Sequence, residues 1–367
     1  MLDLAQYGDM EDKMKKRLIL VLILSMVLFI FGACGNPEKV SKEELERNGY
    51  NNPLDSSQAK PDPYVYKHTD GYYYGMHTYQ KNGYVPRLVM YKSKDLSDLF
   101  KSQRKLVWKA PRTGWNKENI WAPELYFMDD VWYIYYSGGC RTGVLKNTSG
   151  DPMNDKWEDA GRLFVEGADE WAIDGTILKQ NGKMYFIWSG ITNDEPGVQK
   201  LFISEMSSPT KLTGPRVMLS RPEYEWEKQG ADNVFNVNEG PVALQRNGKT
   251  FLTYSASFCS TPDYCLGMLT IDGNADPMDP KAWIKSKEPV FKASEENGLW
   301  GVGHNSFTTS PDGKEDWLVY HAMLNTNLAS DRTVCIQKIT WKKDGTPDFG
   351  VPSGRYEKLL KPSGEQT

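Results

Sequence analysis

GYYYGMHT (71–78), DVWYIYYS (130–137), GKMYFIWS (182–189) and GKTFLTYS (248–255) are four versions of one short aromatic strand, and KEDWLVYH (314–321) is a looser fifth. Aligned on Tyr74, Tyr133, Tyr185, Phe251 and Trp317, they recur at intervals of 59, 52, 66 and 66 residues. Each copy follows a turn (HTDG, FMDD, KQNG, QRNG, SPDGK), and each turn follows another short apolar run. Aromatic and β-branched residues in alternation suit a pleated surface, and Gly, Asn and Asp between them mark hairpins. A hairpin repeated every ~50–65 residues points to propeller blades of four strands. The expected fold is all-β, a five-bladed β-propeller. One sandwich of this length would be large, and two would not explain five similar hairpins.

Upstream of the repeats, Lys15, Lys16 and Arg17 precede an apolar run from Leu18 to Ala33. That run is short for a bilayer span and suits a signal-peptide core. It ends Phe31-Gly32-Ala33-Cys34, which resembles the lipobox of bacterial lipoproteins, with Phe31 where Leu is usual. The reading makes residues 1–33 a signal peptide and Cys34 the lipidated residue; a transmembrane anchor is the alternative. Residues 34–60 are polar and read as a tether, and residues 61–360 as the propeller domain. Of the other cysteines, Cys259 and Cys265 flank the turn-like STPDY and are read either as a local disulfide or as free thiols.

The composition narrows the function. In 367 residues, 44 Lys+Arg against 48 Asp+Glu give a net charge of −4, so no basic field is present to attract nucleic acid. The four His show no metal-site spacing, which argues against a histidine-rich metalloenzyme. Twelve Trp, 20 Tyr and 13 Phe suit both an all-β core and a sugar-binding surface.

Stepping back 9 to 13 residues from each anchor reaches Asp62, Glu124, Asp174, Glu239 and His304. In a propeller the inner strands line a central channel, so these five polar residues are expected to meet at one rim. Crowded carboxylates push their pKa values apart, which lets one site hold a protonated acid beside an ionised base. Singly, each has a structural explanation as a turn residue, a solvated strand end or a core histidine. Glu239 has the weakest such explanation, since a Glu opening an apolar strand gains nothing structurally.

The ordered set DP (62–63), IWAPEL (120–125), IDGTIL (173–178), VNEGP (237–241) and GHNSF (303–307) resembles glycoside hydrolase family 43 over residues ~60–352. MLSRPEYEWE (218–227) and SPDGKEDWLVYHA (310–322) look most like its α-L-arabinofuranosidase branch. The resemblance implies an inverting hydrolase that releases L-arabinofuranose from arabinan or arabinoxylan, acting from chain ends. It implies Asp62 as general base, Glu239 as general acid and Asp174 as the third carboxylate that raises the acid's pKa. Trp121 and Glu124 match a loop shaping the sugar pocket, and Arg332 matches an arginine that hydrogen-bonds sugar hydroxyls. His304 matches a channel histidine that in many members lies near calcium. No cofactor is implied as required. A structural calcium in the central channel is left open, with no acidic calcium loop of EF-hand type to hold it.

The expected partners are plant cell-wall polysaccharide or arabino-oligosaccharide, with membrane contact through the lipid anchor only and no nucleic acid. The expected location is the cell envelope, as an exported lipoprotein. The alternatives are a β-xylosidase or endo-arabinanase on the same fold, or a non-catalytic carbohydrate-binding lipoprotein, which should lack one of the three carboxylates. Gly75 and His77 depart from the larger residues of the other copies. CRTG (140–143) carries no role in this pattern.

Overall fold

A computed structural model describes residues 40–79, 86–230, 236–327 and 331–366, so Cys34 and the signal-peptide reading lie outside the described residues. Among the described residues, those from Arg47 onward form one compact unit, and residues 40–46 belong to a separate one. A short helix, α1 (Lys42–Asn48), begins where Ser41 caps it through Oγ on the Glu44 N–H. Among the described residues no helix is long and apolar enough to cross a membrane.

Among the described residues the elements that follow are strands, apart from three 3₁₀ turns at Leu99–Lys101, Glu225–Glu227 and Pro280–Ala282. β1 (Gly49–Tyr50) comes first; blade I holds β2 (Tyr64–Lys67), β3 (Tyr73–Met76), β4 (Arg87–Ser93) and β5 (Lys105–Lys109). Blade II holds β6 (Trp121–Met128), β7 (Val131–Gly138), β8 (Arg141–Asn147) and β9 (Glu158–Arg162). Blade III is β10 (Trp171–Gln180), β11 (Lys183–Thr192) and β12 (Glu195–Ser208), edged by β13 (Lys211–Leu212) and β14 (Val217–Ser220). Blade IV is β15 (Asn236–Arg246), β16 (Lys249–Ala256), β17 (Cys265–Asp272) and β18 (Ile284–Lys285). Blade V is β19 (Trp300–Thr309), β20 (Asp316–Met323), β21 (Arg332–Trp341) and β22 (Pro347–Asp348), and β23 (Leu359–Leu360) returns to pair with β1. All five repeat anchors fall in the second strand of a blade, as the hairpin repeat requires.

The blades close into a ring. Inner strands β2, β6, β10, β15 and β19 each adjoin the next, and β19 adjoins β2. Five apolar clusters fill the five junctions between blades. The junction of blades V and I, for example, joins Val65, Tyr73 and Tyr91 to Trp317, Val319 and Ile336. Each such fully buried aromatic withdraws about 150–250 Å² from water, which makes these interfaces the main source of stability. Blades III and IV are also stitched by a parallel bridge, Val198 to Asn236 and Gln199 to Val237.

The polar segment before residue 61 is not a tether throughout. Asn52 imitates backbone: its Nδ2 donates to the Ile336 and Ser353 carbonyls, and its Oδ1 accepts the Ile336 N–H. Leu54 N–H and Lys60 N–H donate to the carbonyls of Val334 and Arg332, and buried Lys60 pairs with Asp55. Residues 49–60 therefore belong to the ring. Their side chains are polar because they complete the hydrogen bonds of blade V, which composition alone does not distinguish from solvation. Cys140, Cys259, Cys265 and Cys335 are all free thiols.

Candidate active site

Each inner strand opens with the same backbone device. Asp62, Ala122, Asp174, Gly240 and His304 have φ of 58°, 43°, 55°, 53° and 47°, so each blade has a left-handed residue near the start of its inner strand. On β6, β10, β15 and β19 it coincides with a shift of register against the neighbouring strand. Four of the five carry a Cβ and so adopt this conformation at a cost, a pattern found where backbone strain serves a site. At Gly240 a side chain would also be crowded, because a Cβ would stand 3.2 Å from the His304 ring.

This device sets the true phase of the five residues. Asp62, Asp174 and His304 are equivalent, Glu239 stands one place before its blade's left-handed residue, and Glu124 stands two places after. The consequence is a division. Asp62, Asp174, Glu239, His304, Trp121 and Arg332 line one pocket of about 370 Å³. Glu124 does not line it; it lies in a small cavity of the channel with Asp62, Tyr64, His304 and Asn305. There its Oε2 accepts the Tyr126 hydroxyl at 2.5 Å, and burial pushes its carboxyl up to about 8.

The three carboxylates stand at the deep end of the pocket, 6 to 8 % exposed. Asp62 Oδ2 accepts Thr78 Oγ1–H at 2.6 Å and Oδ1 accepts Arg332 Nη1–H at 3.2 Å, with His304 Nδ1 3.4 Å from the same oxygen. Burial alone would raise this carboxyl. His304, Arg332 and the Thr78 hydrogen bond overcome that and hold it well below the usual carboxylate range. His321 supports it differently: its Nδ1 accepts the Asp62 N–H at 3.2 Å, and burial keeps the ring neutral.

Glu239 is fixed by two donors, Tyr264 hydroxyl to Oε1 at 2.8 Å and Gln199 Nε2 to Oε2 at 3.0 Å. Asp174 accepts the Gly240 N–H at 3.3 Å, and its own N–H donates to Ser137 Oγ. Burial pushes Asp174 well above its ordinary value, with Glu239 and then Asp62 adding to the effect. Burial and its carboxylate neighbours therefore favour the protonated form of Asp174. The pocket thus combines one carboxyl held ionised, Asp62, with one that retains its proton, Asp174.

The sequence reading missed Thr78, Gln199 and Tyr264, and also the pocket-lining Trp171, Ile173, Phe258 and Cys259. Only Trp171 carried a signal, as an aromatic three residues before Asp174. Arg332 lies in the pocket but commits Nη1 to Asp62, a contact that the sugar-binding role did not anticipate. Cys259 remains a thiol, its pKa pushed up to about 11 by burial.

Asp174, Glu239 and His304 bring one potential metal-ligating atom each within 4.8 Å of one another. Calcium takes six to eight oxygens, whereas this set includes a nitrogen and two carboxylates already engaged as described. The set does not fit a protein-built calcium shell.

A protein of Streptomyces avermitilis named extracellular exo-α-(1→5)-L-arabinofuranosidase is 34% identical over 349 residues, covering 92% of this chain and 70% of that protein. A protein of the same name from Streptomyces chartreusis is 39% identical over 292 residues, 77% of this chain and 85% of its own length. The crystal structure of α-L-arabinofuranosidase from Lactobacillus brevis superposes with a TM-score of 0.77 at 35% identity, covering 83% of this chain and 98% of that one. The model of the glycosyl hydrolases family 43 matches residues 50–347, from the clasping strand β1 to the last blade, and the chain belongs to that family.

Proposed function

We propose that this protein is an exported, exo-acting α-L-arabinofuranosidase that releases L-arabinofuranose from arabinan or arabinoxylan with inversion at the anomeric carbon. The observation that carries the reading is the meeting of three buried carboxyls in one pocket, with Asp62 favoured ionised and Asp174, beside Glu239, favoured protonated. Asp62 takes a proton from water as that water attacks the anomeric carbon. Glu239 gives a proton to the departing glycosidic oxygen, and Asp174 keeps that proton available. Inversion requires room for the water, with base and acid about 6.5–9.5 Å apart. Trp121 offers an indole face to the sugar, and Arg332 orients Asp62 at the pocket wall.

The names of the relatives support the substrate class, and a pocket with its carboxylates at the buried end favours entry of a chain end. The extracellular relatives support export. Lipidation at Cys34 is the proposed anchor, and Cys34→Ala is expected to shed the protein from the membrane; undiminished retention would refute lipidation.

The test is the product spectrum from linear arabinan, an aryl arabinofuranoside and an aryl xyloside. Arabinose is expected as the early product from the first two. Xylose release would make the protein a β-xylosidase, and a ladder of oligosaccharides an endo-arabinanase. Proton NMR of fresh product should show the inverted anomer first.

A further inference from the structure

The CRTG turn, without a role in the sequence pattern, is where blade II grips the mouth of the pocket. Cys140 carbonyl accepts the Ala172 N–H at 3.2 Å, and Thr142 Oγ1 donates to the Ala172 carbonyl at 3.2 Å. Arg141 reaches further, donating Nε to Asp169 Oδ1 at 3.0 Å and Nη2 to the Asp169 carbonyl at 3.3 Å. Arg162 of β9 pairs with the same Asp169 oxygen. The next residue is pulled the other way: Glu170 pairs with Arg216 and accepts Asn193 Nδ2 at 3.1 Å, both on blade III. Trp171 follows immediately.

Trp171 lines the pocket, half-buried, whereas Asp62, Asp174 and Glu239 are nearly enclosed. A sugar in reach of the carboxylates leaves the rest of its chain beside the indole. Trp171 Nε1 finds no partner among the described residues, so no hydrogen bond of its own fixes the ring. Its position is inherited from the backbone, which is tethered on both sides.

We propose that Asp169 and Glu170, gripped by Arg141, Arg162 and Arg216, are positioning residues that hold Trp171 against the leaving arabinan chain, so that this ionic clamp sets affinity for the chain and not the rate of bond cleavage. The inference rests on the arabinofuranosidase reading given above. It also makes chain affinity salt-dependent. The Arg141 and Asp169 side chains are 32 and 40 % exposed, and pairs this open are screened by added salt.

The test compares KM and kcat of the full chain on arabinotriose and on 4-nitrophenyl α-L-arabinofuranoside, at about 0.01 M and about 1 M NaCl, where the Debye length falls from about 30 to about 3 Å. Asp169→Asn and Arg141→Gln are each expected to raise KM for arabinotriose about two- to fivefold, the range open to one partly exposed pair. They should leave kcat, and both constants on the aryl substrate, unchanged. Wild-type KM for arabinotriose should rise with salt, the variants' should not, and Arg141→Lys should restore part of the effect. A parallel loss on both substrates, a fall in kcat, or no change at all would overturn the clamp. Failure of the underlying reading would look different, since the wild type would then release arabinose from neither substrate.

Discussion

Thr78 Oγ1 donates to Asp62 Oδ2 at 2.6 Å while accepting the Ala122 N–H at 2.7 Å, so one hydroxyl aims the proposed base and ties it to the next blade. Thr78→Val keeps the shape and removes the donor. A hydrogen bond to a charged group is worth about 1.5–3 kcal/mol, so kcat should fall about 10- to 100-fold. Asp62 loses a group that favours its ionised form, so the acid limb of the pH–rate profile should move to higher pH. An unshifted limb with normal kcat would remove Thr78 from the site.

The proposed acid and base are separable by leaving group. Glu239→Ala should cost about 10²–10⁴-fold on arabinotriose and far less on a dinitrophenyl arabinofuranoside, whose leaving group needs no proton. Asp62→Ala should be crippled on both, because water must still be activated. Rescue of Asp62→Ala and not Glu239→Ala by the activated substrate would reverse the two roles.

Asp174→Asn tests the shared proton. Asp174 is raised by burial and by Glu239, so it resists giving up its proton. Replacing one acid by a neutral amide removes that mutual repulsion. The alkaline limb of kcat/KM, which reports loss of this proton, should move to lower pH. A limb that stays in place would mean the pair is not coupled.

Glu124 gives a prediction in stability. Its folded carboxyl is pushed by burial from 4.5 up to about 8, so between those values the unfolded chain ionises while the folded one keeps its proton. Stability from this group is intact below the lower value, falls as pH rises between the two, and stays reduced above the upper one. Glu124→Gln cannot ionise and retains an acceptor for Tyr126. It should match the wild type near pH 4 and exceed it at pH 8 by on the order of 4 kcal/mol. Urea denaturation at the two pH values measures the difference, and equal stabilities at both would show Glu124 to be solvated.

The hairpins were readable because a pleated strand forces alternation, and five copies of one alternation leave little freedom of architecture. Asp62, Asp174 and Glu239 were readable as a set, by their matched places 11 or 12 residues before the repeat anchors, although singly only Glu239 lacked a good structural motive. The phase among them was not. Nothing in IWAPEL says that Ala122 takes the left-handed turn, and that choice carries Glu124 past the rim into the channel. Gln199, Tyr264 and Thr78 were invisible for another reason. They approach their carboxylates from 40, 25 and 16 residues away in sequence, out of strands and loops whose composition is ordinary. Asn52 and its neighbours misled in the opposite sense, being polar to serve the backbone of blade V.

The pairing of Gly49 and Tyr50 with Leu360 and Leu359 has a consequence in time. A ring clasped by β1 and β23 cannot fasten until β23 has been made. At about 5–20 residues per second, β23 emerges roughly 15–60 seconds after β1, and for most of that interval the face of blade I that packs on blade V stays uncovered. Unfinished chains therefore spend their synthesis with an apolar seam open to other molecules. Losses during production should fall in that window and track how quickly the final strand is delivered, whatever the strength of the finished ring.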